Sequence, residues 1–191
     1  MLFRSLGGHP RLLLAQLQAR VAAEERLHYL AYHDELTTLA TRRGLTDHLA
    51  KRLKPGAPGP VAVIFVDVDR LKALNSFLGH AAGDQYLHTL AHRLREAMPN
   101  DQLLARLGGD EFAMLLLGMN AVDAERYIKR LQSELVRAME SRMWPVRFSI
   151  GMASYAQTPA DFSTVIASAD ALMYEAKRCG RNQILQRVYE C

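Results

Sequence analysis

The 191-residue chain has little of what builds disulfide-stapled or membrane-spanning proteins. Cysteine occurs only at Cys179 and Cys191, too few for a disulfide framework or a zinc knuckle, and this fits a reducing compartment. The apolar run near the N-terminus, Leu12 to Ala15, is too short for a signal peptide or a spanning helix. Internal repeats and low-complexity segments are also missing from the sequence. These absences predict a soluble protein without a membrane segment, located in the cytoplasm.

Charge and composition narrow the class further. The net charge is +4, but cations and anions alternate in stretches such as Glu24-Glu25-Arg26 and Arg93-Leu94-Arg95-Glu96. Mixed signs are typical of a solvated surface, so they disfavour nucleic-acid binding and leave room for a small anionic ligand. A hydrophobic content of 49% supports one domain with a sizeable core and one additional element.

That additional element is a helix predicted over residues 11 to 32 and entered through Pro10. Its apolar residues keep a heptad spacing and resume it after a shift; they are Leu14, Leu17 and Val21, then Leu27, Leu30 and Ala31. Two interpretations stay open: a dimerising coiled-coil stalk, or an amphipathic helix lying on its own domain. The predicted division is a helical stalk or linker over 1–32 and one domain over 33–191.

The central motif of that domain is Gly108-Gly109-Asp110-Glu111. Apolar runs flank it, from Leu103 to Leu107 and from Phe112 to Leu117, which predicts a β-hairpin with glycine at the turn. Two adjacent carboxylates repel each other there, and a cation would compensate. We therefore expect a metal site with bound phosphate.

A second acidic pair follows a predicted central strand. Val61 to Val66 is a continuous apolar run, typical of a strand buried on both faces, and it leads into Asp67-Val68-Asp69. Period-two geometry places both aspartates on one face at the strand end. If strand and hairpin are neighbours, Asp67 and Asp110 can share a hard divalent ion; alternatively, Asp69 caps a short turn from Arg70 to Leu74.

The remaining pattern predicts alternating helices, strands and turns. A turn at Asp34 to Thr38 precedes a helix from Thr41 to about Leu53, a loop covers Lys54 to Pro60, and a Gly-bearing turn over Leu78 to Asp84 leads into a helix to about Met98. A helix capped by Asn120 covers Ala121 to Glu140, a strand covers Val146 to Ser154, a helix covers Asp161 to Lys177, and a strand covers Gln183 to Val188.

Several polar residues allow both an ordinary and a functional interpretation. Asn75 and Asp84 suit turn and cap positions, although an amide and a carboxylate could also bind the edge of a purine. His88 and His92 have the spacing of a helical metal pair, but without a third ligand they predict a solvated face. The cations from Lys177 to Arg181 suit a helix C-terminus, or phosphates beside a metal site.

Taken together, these stretches resemble the GGDEF family of diguanylate cyclases. The matching segments cover roughly residues 33 to 188 in the family's order; they are Asp34-x-Leu36-Thr37, Asp67-x-Asp69-x-x-Lys72-x-x-Asn75 with Gly79-His80-x-x-Gly83-Asp84, Gly108-Gly109-Asp110-Glu111-Phe112, Ser149-Ile150-Gly151, and Ala169-Asp170 with Tyr174-x-Ala176-Lys177-x-x-Gly180-Arg181-Asn182.

The resemblance implies an α+β fold with the palm-like architecture of nucleotidyl cyclases. A mixed, mainly antiparallel central sheet would be surrounded by helices and preceded by the N-terminal helix. It also implies that two GTP molecules, one on each domain of a homodimer, condense to cyclic di-GMP with loss of two pyrophosphates. The implied cofactor is Mg²⁺, or Mn²⁺ in its place. Fused sensor or phosphodiesterase domains are usual in the family.

The resemblance also implies roles for particular residues. The metal site would comprise the Asp67 and Asp110 carboxylates, the Val68 carbonyl and Glu111, and Glu111 and Asp110 would be catalytic. The guanine would be bound by Asn75 and Asp84, which reverses their ordinary interpretation. The phosphates would contact Leu71, Lys72, Lys177 and Arg181, with the first two acting through backbone amides at a helix start.

The sequence also departs from the family's usual pattern. Thr38 replaces a glycine, Thr41 an asparagine, Leu71 a phenylalanine and Ser76 an aspartate, and none of these changes removes an inferred metal or phosphate ligand. The Arg-x-x-Asp inhibitory product site of many members is also missing, because Pro99 and Gln102 stand at its two positions. We expect no product inhibition through that site.

Three hypotheses follow. The first is an active, magnesium-dependent diguanylate cyclase whose dimerisation depends on the N-terminal helix. The second is a catalytically weak or inactive GTP-binding regulatory module. The third is a structural dimerisation unit in which the carboxylates are incidental.

Overall fold

The computed structural model describes residues 10–52, 58–144, 146–159 and 161–190. The predicted end of the second helix at Leu53 and the predicted start of the loop at Lys54 lie outside these residues. Residues 1–9 of the predicted N-terminal segment also lie outside them. The helices are α1 (Pro10–Tyr32), α2 (Arg42–Arg52), α3 (Leu71–Leu78), α4 (His80–Ala97), α5 (Ala121–Glu140) and α6 (Phe162–Arg178). The strands are β1 (Pro58–Asp69), β2 (Leu103–Gly108), β3 (Glu111–Leu117), β4 (Arg147–Gln157) and β5 (Ile184–Tyr189).

The five strands form one mixed sheet in the order β2-β3-β1-β4-β5. The pairs β2–β3, β3–β1 and β1–β4 are antiparallel, and only β4–β5 is parallel. Helices surround the sheet, and α1 precedes it. The α+β fold expected from the resemblance is therefore confirmed, including its mainly antiparallel central sheet.

Strand β1 lies at the centre and is buried on both faces, as its continuous apolar run predicts. Ala62, Ile64 and Val66 belong to a core cluster shared with α3, α4 and α5. Val63 and Phe65 belong to a second cluster shared with α2 and α6. Alternate side chains of β1 thus pack against helices on opposite faces of the sheet. Because both faces of the strand are buried, the position of its C-terminal end is fixed.

Two sequence-based boundaries are wrong. Residues 58–60 of the predicted loop belong to β1, where an irregular pairing with β4 accommodates Pro58 at the strand start. The predicted short turn after Asp69 is the full helix α3, because burial of Leu71 and Leu74 against the main core stabilises it. Gly79, with φ of 87°, separates α3 from α4.

Helix α1 leaves its apolar residues uncovered in the single chain. Leu14, Leu17 and Val21 are each more than half exposed. This part of the stripe does not lie on its own domain, whereas Leu30 and Ala31 at the end of α1 are half-buried beside it. Covering of the exposed part by a second copy stays a prediction. No helix of the described residues has the length and apolar character needed to span a bilayer.

Candidate active site

The predicted carboxylates meet at the C-terminal end of β1. Asp67 pairs in register with Glu111 of β3 and with Ser149 of β4, so strand and hairpin are direct neighbours, as the shared-ion prediction requires. Asp67 and Asp69 are each only 4% exposed. The backbone carbonyl of Asp110 accepts a hydrogen bond of 3.1 Å from the Val68 amide, which holds the hairpin turn against β1.

The turn itself depends on glycine and on an arginine. Gly108 and Gly109 adopt φ of 145° and 50°, conformations that favour residues without a Cβ. The Arg106 guanidinium donates to the Gly109 carbonyl through Nε at 3.1 Å and through Nη2 at 2.7 Å. Its Nη1 also donates to both oxygens of Asp34, at 2.9 and 3.1 Å. Arg106 therefore connects the carboxylate turn to the segment that follows α1.

Sequence reasoning assigned no role to Arg106. Two features of the sequence could have indicated its role. An arginine stands at the start of the acidic turn, and Asp34, elsewhere in the same family pattern, was assigned no partner. Asp34 also accepts hydrogen bonds from the amide and hydroxyl of Thr37, which confirms the predicted turn. Although burial opposes it, hydrogen bonding by Thr37 and Arg106 holds the pKa of Asp34 below its usual value.

Lys177, at the end of α6, reaches the two carboxylates that face each other across β1 and β3. Its Nζ lies 2.6 Å from Oδ2 of Asp67 and 3.9 Å from Oε1 of Glu111. Burial raises the pKa of Asp67 to about 6; the Lys177 hydrogen bond opposes this rise and the Asp110 charge adds to it. The carboxyl is thus poorly solvated and surrounded by like charge, as expected of a cation-binding position.

Asp69 has a different environment. Its Oδ1 accepts from the Ser149 hydroxyl at 2.8 Å, and its Oδ2 accepts from the Asn182 amide at 3.0 Å. Nε of Arg181 is 3.8 Å from Oδ1. The alternative in which Asp69 caps the following helix is wrong, because Arg70 holds that position with φ of 65° and makes no side-chain cap.

A pocket of about 400 Å³ opens at this end of the sheet. It is lined by acidic residues and cations together with the start of α3; the lining residues are Asp67, Val68, Asp69, Arg70, Leu71, Lys72, Asp110, Lys177 and Arg181. The structure therefore brings the predicted metal and phosphate residues into one pocket. Glu111 does not line this pocket but lies next to it, where Nζ of Lys177 contacts its carboxylate. The Leu71 side chain is buried in the core, so only its backbone is available to a ligand.

The predicted guanine residues lie on the two helices that follow. Asn75 is on α3, and its Oδ1 is buried without a hydrogen-bond partner among the described residues. It packs against Gly83 of α4, where a Cβ would lie only 1.8 Å from Oδ1. Asp84 is exposed one residue further along α4, and among the described residues neither Asn75 nor Asp84 lines the pocket.

The remaining candidates behave as ordinary surface or turn residues. His88 and His92 are exposed, and Nδ1 of His92 lies 3.3 Å from Glu96. The side-chain oxygen of Gln102 accepts a hydrogen bond of 2.7 Å from the Leu117 amide. Its side-chain nitrogen donates to the Leu117 carbonyl at 3.4 Å. Its amide is therefore used to hold the hairpin, and Pro99 precedes it in the same bend.

Comparison with known proteins decides the family. The family model described as "Diguanylate cyclase, GGDEF domain" matches residues 31–183 of the chain. The chain belongs to the GGDEF-domain family. The match covers the hairpin, both acidic pairs and the cations at the end of α6.

Two curated relatives are longer than this chain. It is 46% identical over 175 residues to an uncharacterized protein, Rv1354c, of Mycobacterium tuberculosis, and this alignment covers 90% of the chain and 28% of Rv1354c. It is 37% identical over 178 residues to the diguanylate cyclase TpbB of Pseudomonas aeruginosa, covering 88% of the chain and 40% of TpbB. The chain therefore spans less than half the length of either relative.

A solved structure shares the same architecture. The coiled coil and GGDEF domain of DgcB from Caulobacter crescentus, in complex with c-di-GMP, matches with a TM-score of 0.74 at 26% identity. The match covers 93% of this chain and 97% of the DgcB chain.

The donor set of this GGDEF domain fits a hard divalent cation. Asp67, Asp110 and Glu111 offer only oxygen, and Mg²⁺ in proteins is commonly held by one or two carboxylates together with substrate phosphates. Within the described residues, no three His, Cys, Asp or Glu side chains converge to hold a metal by themselves. Nζ of Lys177 contacts Asp67 and Glu111 at this place.

Proposed function

We propose that the chain is a diguanylate cyclase that acts in the cytoplasm as a homodimer and converts two GTP into cyclic di-GMP and two pyrophosphates. The observation that carries the proposal is the convergence, at one pocket, of the β1 carboxylate Asp67, the turn residue Asp110 and the α6 cations. Metal, phosphate and acid–base chemistry are all required at the same place in phosphoryl transfer.

Asp67 and Asp110 would hold Mg²⁺, or Mn²⁺ in its place, together with the carbonyl of Val68 and with Glu111. When bound, the ion would supply Lewis-acid stabilisation of negative charge on the attacking and leaving oxygens. The poorly solvated Asp67 carboxylate supports this assignment, because a hard cation would compensate for the water that it has lost.

The phosphates would be bound by cations and amides around the same pocket. Lys177 and Arg181 project from the end of α6, and the backbone of Leu71 and Lys72 begins α3 on the opposite side. Ammonium and guanidinium groups stabilise the charge of a departing pyrophosphate, and free amides at a helix start add to that effect.

Guanine would be recognised by Asn75 and Asp84. The Asn75 amide carries both a donor and an acceptor for a purine edge, and its Oδ1 has no hydrogen-bond partner among the described residues. The exposed Asp84 carboxylate can accept from the N1 and N2 donors of guanine, which adenine does not present in that arrangement. Together they would select GTP over ATP.

The reaction needs two copies of the domain. The 3′-oxygen of each GTP attacks the α-phosphorus of the other, so each attack forms one phosphorus–oxygen bond and breaks the bond to pyrophosphate. Glu111 would take the hydroxyl proton. The exposed Leu14, Leu17 and Val21 of α1 support pairing through this helix, and the DgcB structure also contains a coiled coil.

The test is product formation from GTP and Mg²⁺, followed by mass spectrometry, at a protein concentration high enough to favour dimers. The parent should form cyclic di-GMP, whereas Asp110→Ala should form none. Glu134→Ala, which removes an exposed carboxylate of α5, is the matched control and should retain parental activity.

A non-catalytic GTP-binding module is the second candidate. Two departures at the nucleotide rim allow it: Leu71, and Ser76, whose hydroxyl donates to the Lys72 carbonyl at 3.0 Å. GTP binding without turnover at high protein concentration would support this module and refute the cyclase.

A further inference from the structure

The ammonium group of Lys177 lies among the carboxylates rather than out in the pocket. It is 2.6 Å from Asp67 and 3.9 Å from Glu111, and its side chain is 25% exposed. The side chain of Asp67 is 6% exposed, so water cannot replace this partner efficiently. A buried carboxylate without a partner is strongly destabilising, because it has lost its water and nothing compensates its charge. The nucleotide-free domain therefore depends on Lys177 to neutralise Asp67.

The neighbouring cation cannot take over this task. Arg181 is directed to Asp69, at 3.8 Å from Oδ1, and its side chain is 54% exposed. Asp69 has permanent partners in Ser149 and the Asn182 amide, whereas Lys177 is the only cation that the described ion pairs give to Asp67. The two aspartates at the end of β1 thus differ in how their charge is balanced.

We propose that Lys177 is a placeholder cation: it holds Asp67 and Glu111 in the free domain and leaves Asp67 when a divalent ion takes the same oxygens. Its ammonium then becomes available to the triphosphate. This inference rests on the proposed function, because it assigns the divalent ion to Asp67. Lys177 accordingly opposes binding of a divalent ion alone and supports binding of the ion together with nucleotide.

The proposal is tested by measuring these two opposite effects of Lys177, on binding of the ion alone and on binding of the ion with nucleotide. Mn²⁺ binding without nucleotide is measured by the loss of the free-ion electron paramagnetic resonance signal, and binding of Mn²⁺ with GTP is measured by calorimetry. Lys177→Gln should bind Mn²⁺ alone at least about fivefold more tightly than the parent, because a competing unit charge has been removed. The same variant should bind GTP with Mn²⁺ more weakly. A purely phosphate-binding lysine would change only the second measurement.

Arg178→Gln is the matched control. Arg178 is the adjacent exposed cation at the end of α6, so its removal changes the net charge equally and should leave Mn²⁺ binding within twofold of the parent. If the Arg178→Gln variant gains as much affinity for Mn²⁺ as the Lys177→Gln variant, the gain comes from the change in net charge alone, and the placeholder role is refuted.

Lys177→Arg provides an independent test in a variant that keeps the charge. A guanidinium can pair with a carboxylate through two donors, so this variant should bind Mn²⁺ alone more weakly than the parent. Equal or tighter binding by Lys177→Arg, or unchanged or weaker binding by Lys177→Gln, overturns the proposal. None of these titrations requires turnover. Failure to make cyclic di-GMP would refute the proposed activity and leave the result for Lys177 intact.

Discussion

The pair formed by Asp34 and Arg106 should be a major stabilising contact of the domain. Nη1 of Arg106 donates to both oxygens of Asp34, at 2.9 and 3.1 Å, and the side chains of Asp34 and Arg106 are 23% and 11% exposed. Breaking a fully buried pair costs about 3–5 kcal/mol, and an exposed pair is worth about 0.2–1 kcal/mol. This pair lies between those cases, so we expect a coupling free energy of about 2 kcal/mol.

The assay is a double-mutant cycle by urea denaturation at neutral pH, with Asp34→Ala, Arg106→Ala and the double variant. Arg106→Ala alone should cost more than Asp34→Ala, because Arg106 also donates twice to the Gly109 carbonyl. A control cycle on Arg126 and Asp123, separated by a similar 2.9 Å but with side chains 75% and 52% exposed, should give less than about 1 kcal/mol.

The coupling should also depend on pH with a definite sign. The pKa of Asp34 is lowered from 3.8 in the folded protein, so the stability that its charge contributes is present above that value. It is lost as the pH falls through the lowered pKa. The cycle repeated near pH 3 should therefore give a smaller coupling. A neutral-pH coupling no larger than that of the exposed control pair, or one that does not fall in acid, would refute the reasoning.

Three further predictions concern the product, the base and the sheet. Cyclic di-GMP at low micromolar concentration should leave the initial rate unchanged, since Gln102 is committed to the Leu117 backbone; inhibition that a Gln102 substitution relieves would contradict this. Gly83→Ala places a methyl 1.8 Å from Oδ1 of Asn75, so the preference for GTP over ATP, measured by competition binding, should fall by roughly tenfold while the domain stays folded. Gly151→Ala places a methyl 2.2 Å from a backbone nitrogen of α6, so urea denaturation should reveal a loss of about 1–3 kcal/mol; a change below about 0.5 kcal/mol would contradict the close approach.

The sequence predicts the sheet well because its signals are local. The continuous apolar run of β1, the glycines of the hairpin and the cap at Asn120 each specify their element within a few residues, and the observed α5 begins and ends as predicted. Helix α3 was underestimated for the opposite reason. It has only eight residues, so the helical spacing of Leu71, Leu74 and Leu78 is too short a pattern to distinguish a helix from a turn.

Ion pairing could not be predicted from sequence in the same way. Arg106 and Asp34 are distant in the chain, as are Lys177 and Asp67, and many other charged residues could have been their partners. The fold brings these groups together: the backbone bridge between Ala40 and Ala105 joins the segment of Asp34 to β2, and α6 packs on the face of the sheet that contains β1. The family resemblance supplied the list of site residues, but it did not supply the contact between Lys177 and the carboxylates.

The departures from the family pattern at the base of α1 have a structural explanation. Thr38 has φ of 58°, a left-handed conformation that explains why the family usually has glycine there. Its hydroxyl donates to the Thr37 carbonyl at 2.7 Å and accepts from Arg95 at 3.2 Å, which offsets part of the strain. Thr41 accepts from the Gly44 amide at 3.2 Å and so caps α2, as predicted. Both replacements keep the local geometry.

The two buried aspartates of β1 illustrate how one strand end can serve stability and chemistry at once. Asp69 accepts hydrogen bonds from the Ser149 hydroxyl and the Asn182 backbone amide, and both donors are held in place by the fold. Asp67 is balanced by a long, partly exposed lysine, which can move without unfolding the sheet. A carboxylate whose partner can leave is available to a ligand, whereas one with fixed partners is part of the scaffold. Because their environments differ although their residue type does not, we expect Asp67 rather than Asp69 to exchange one cation for another.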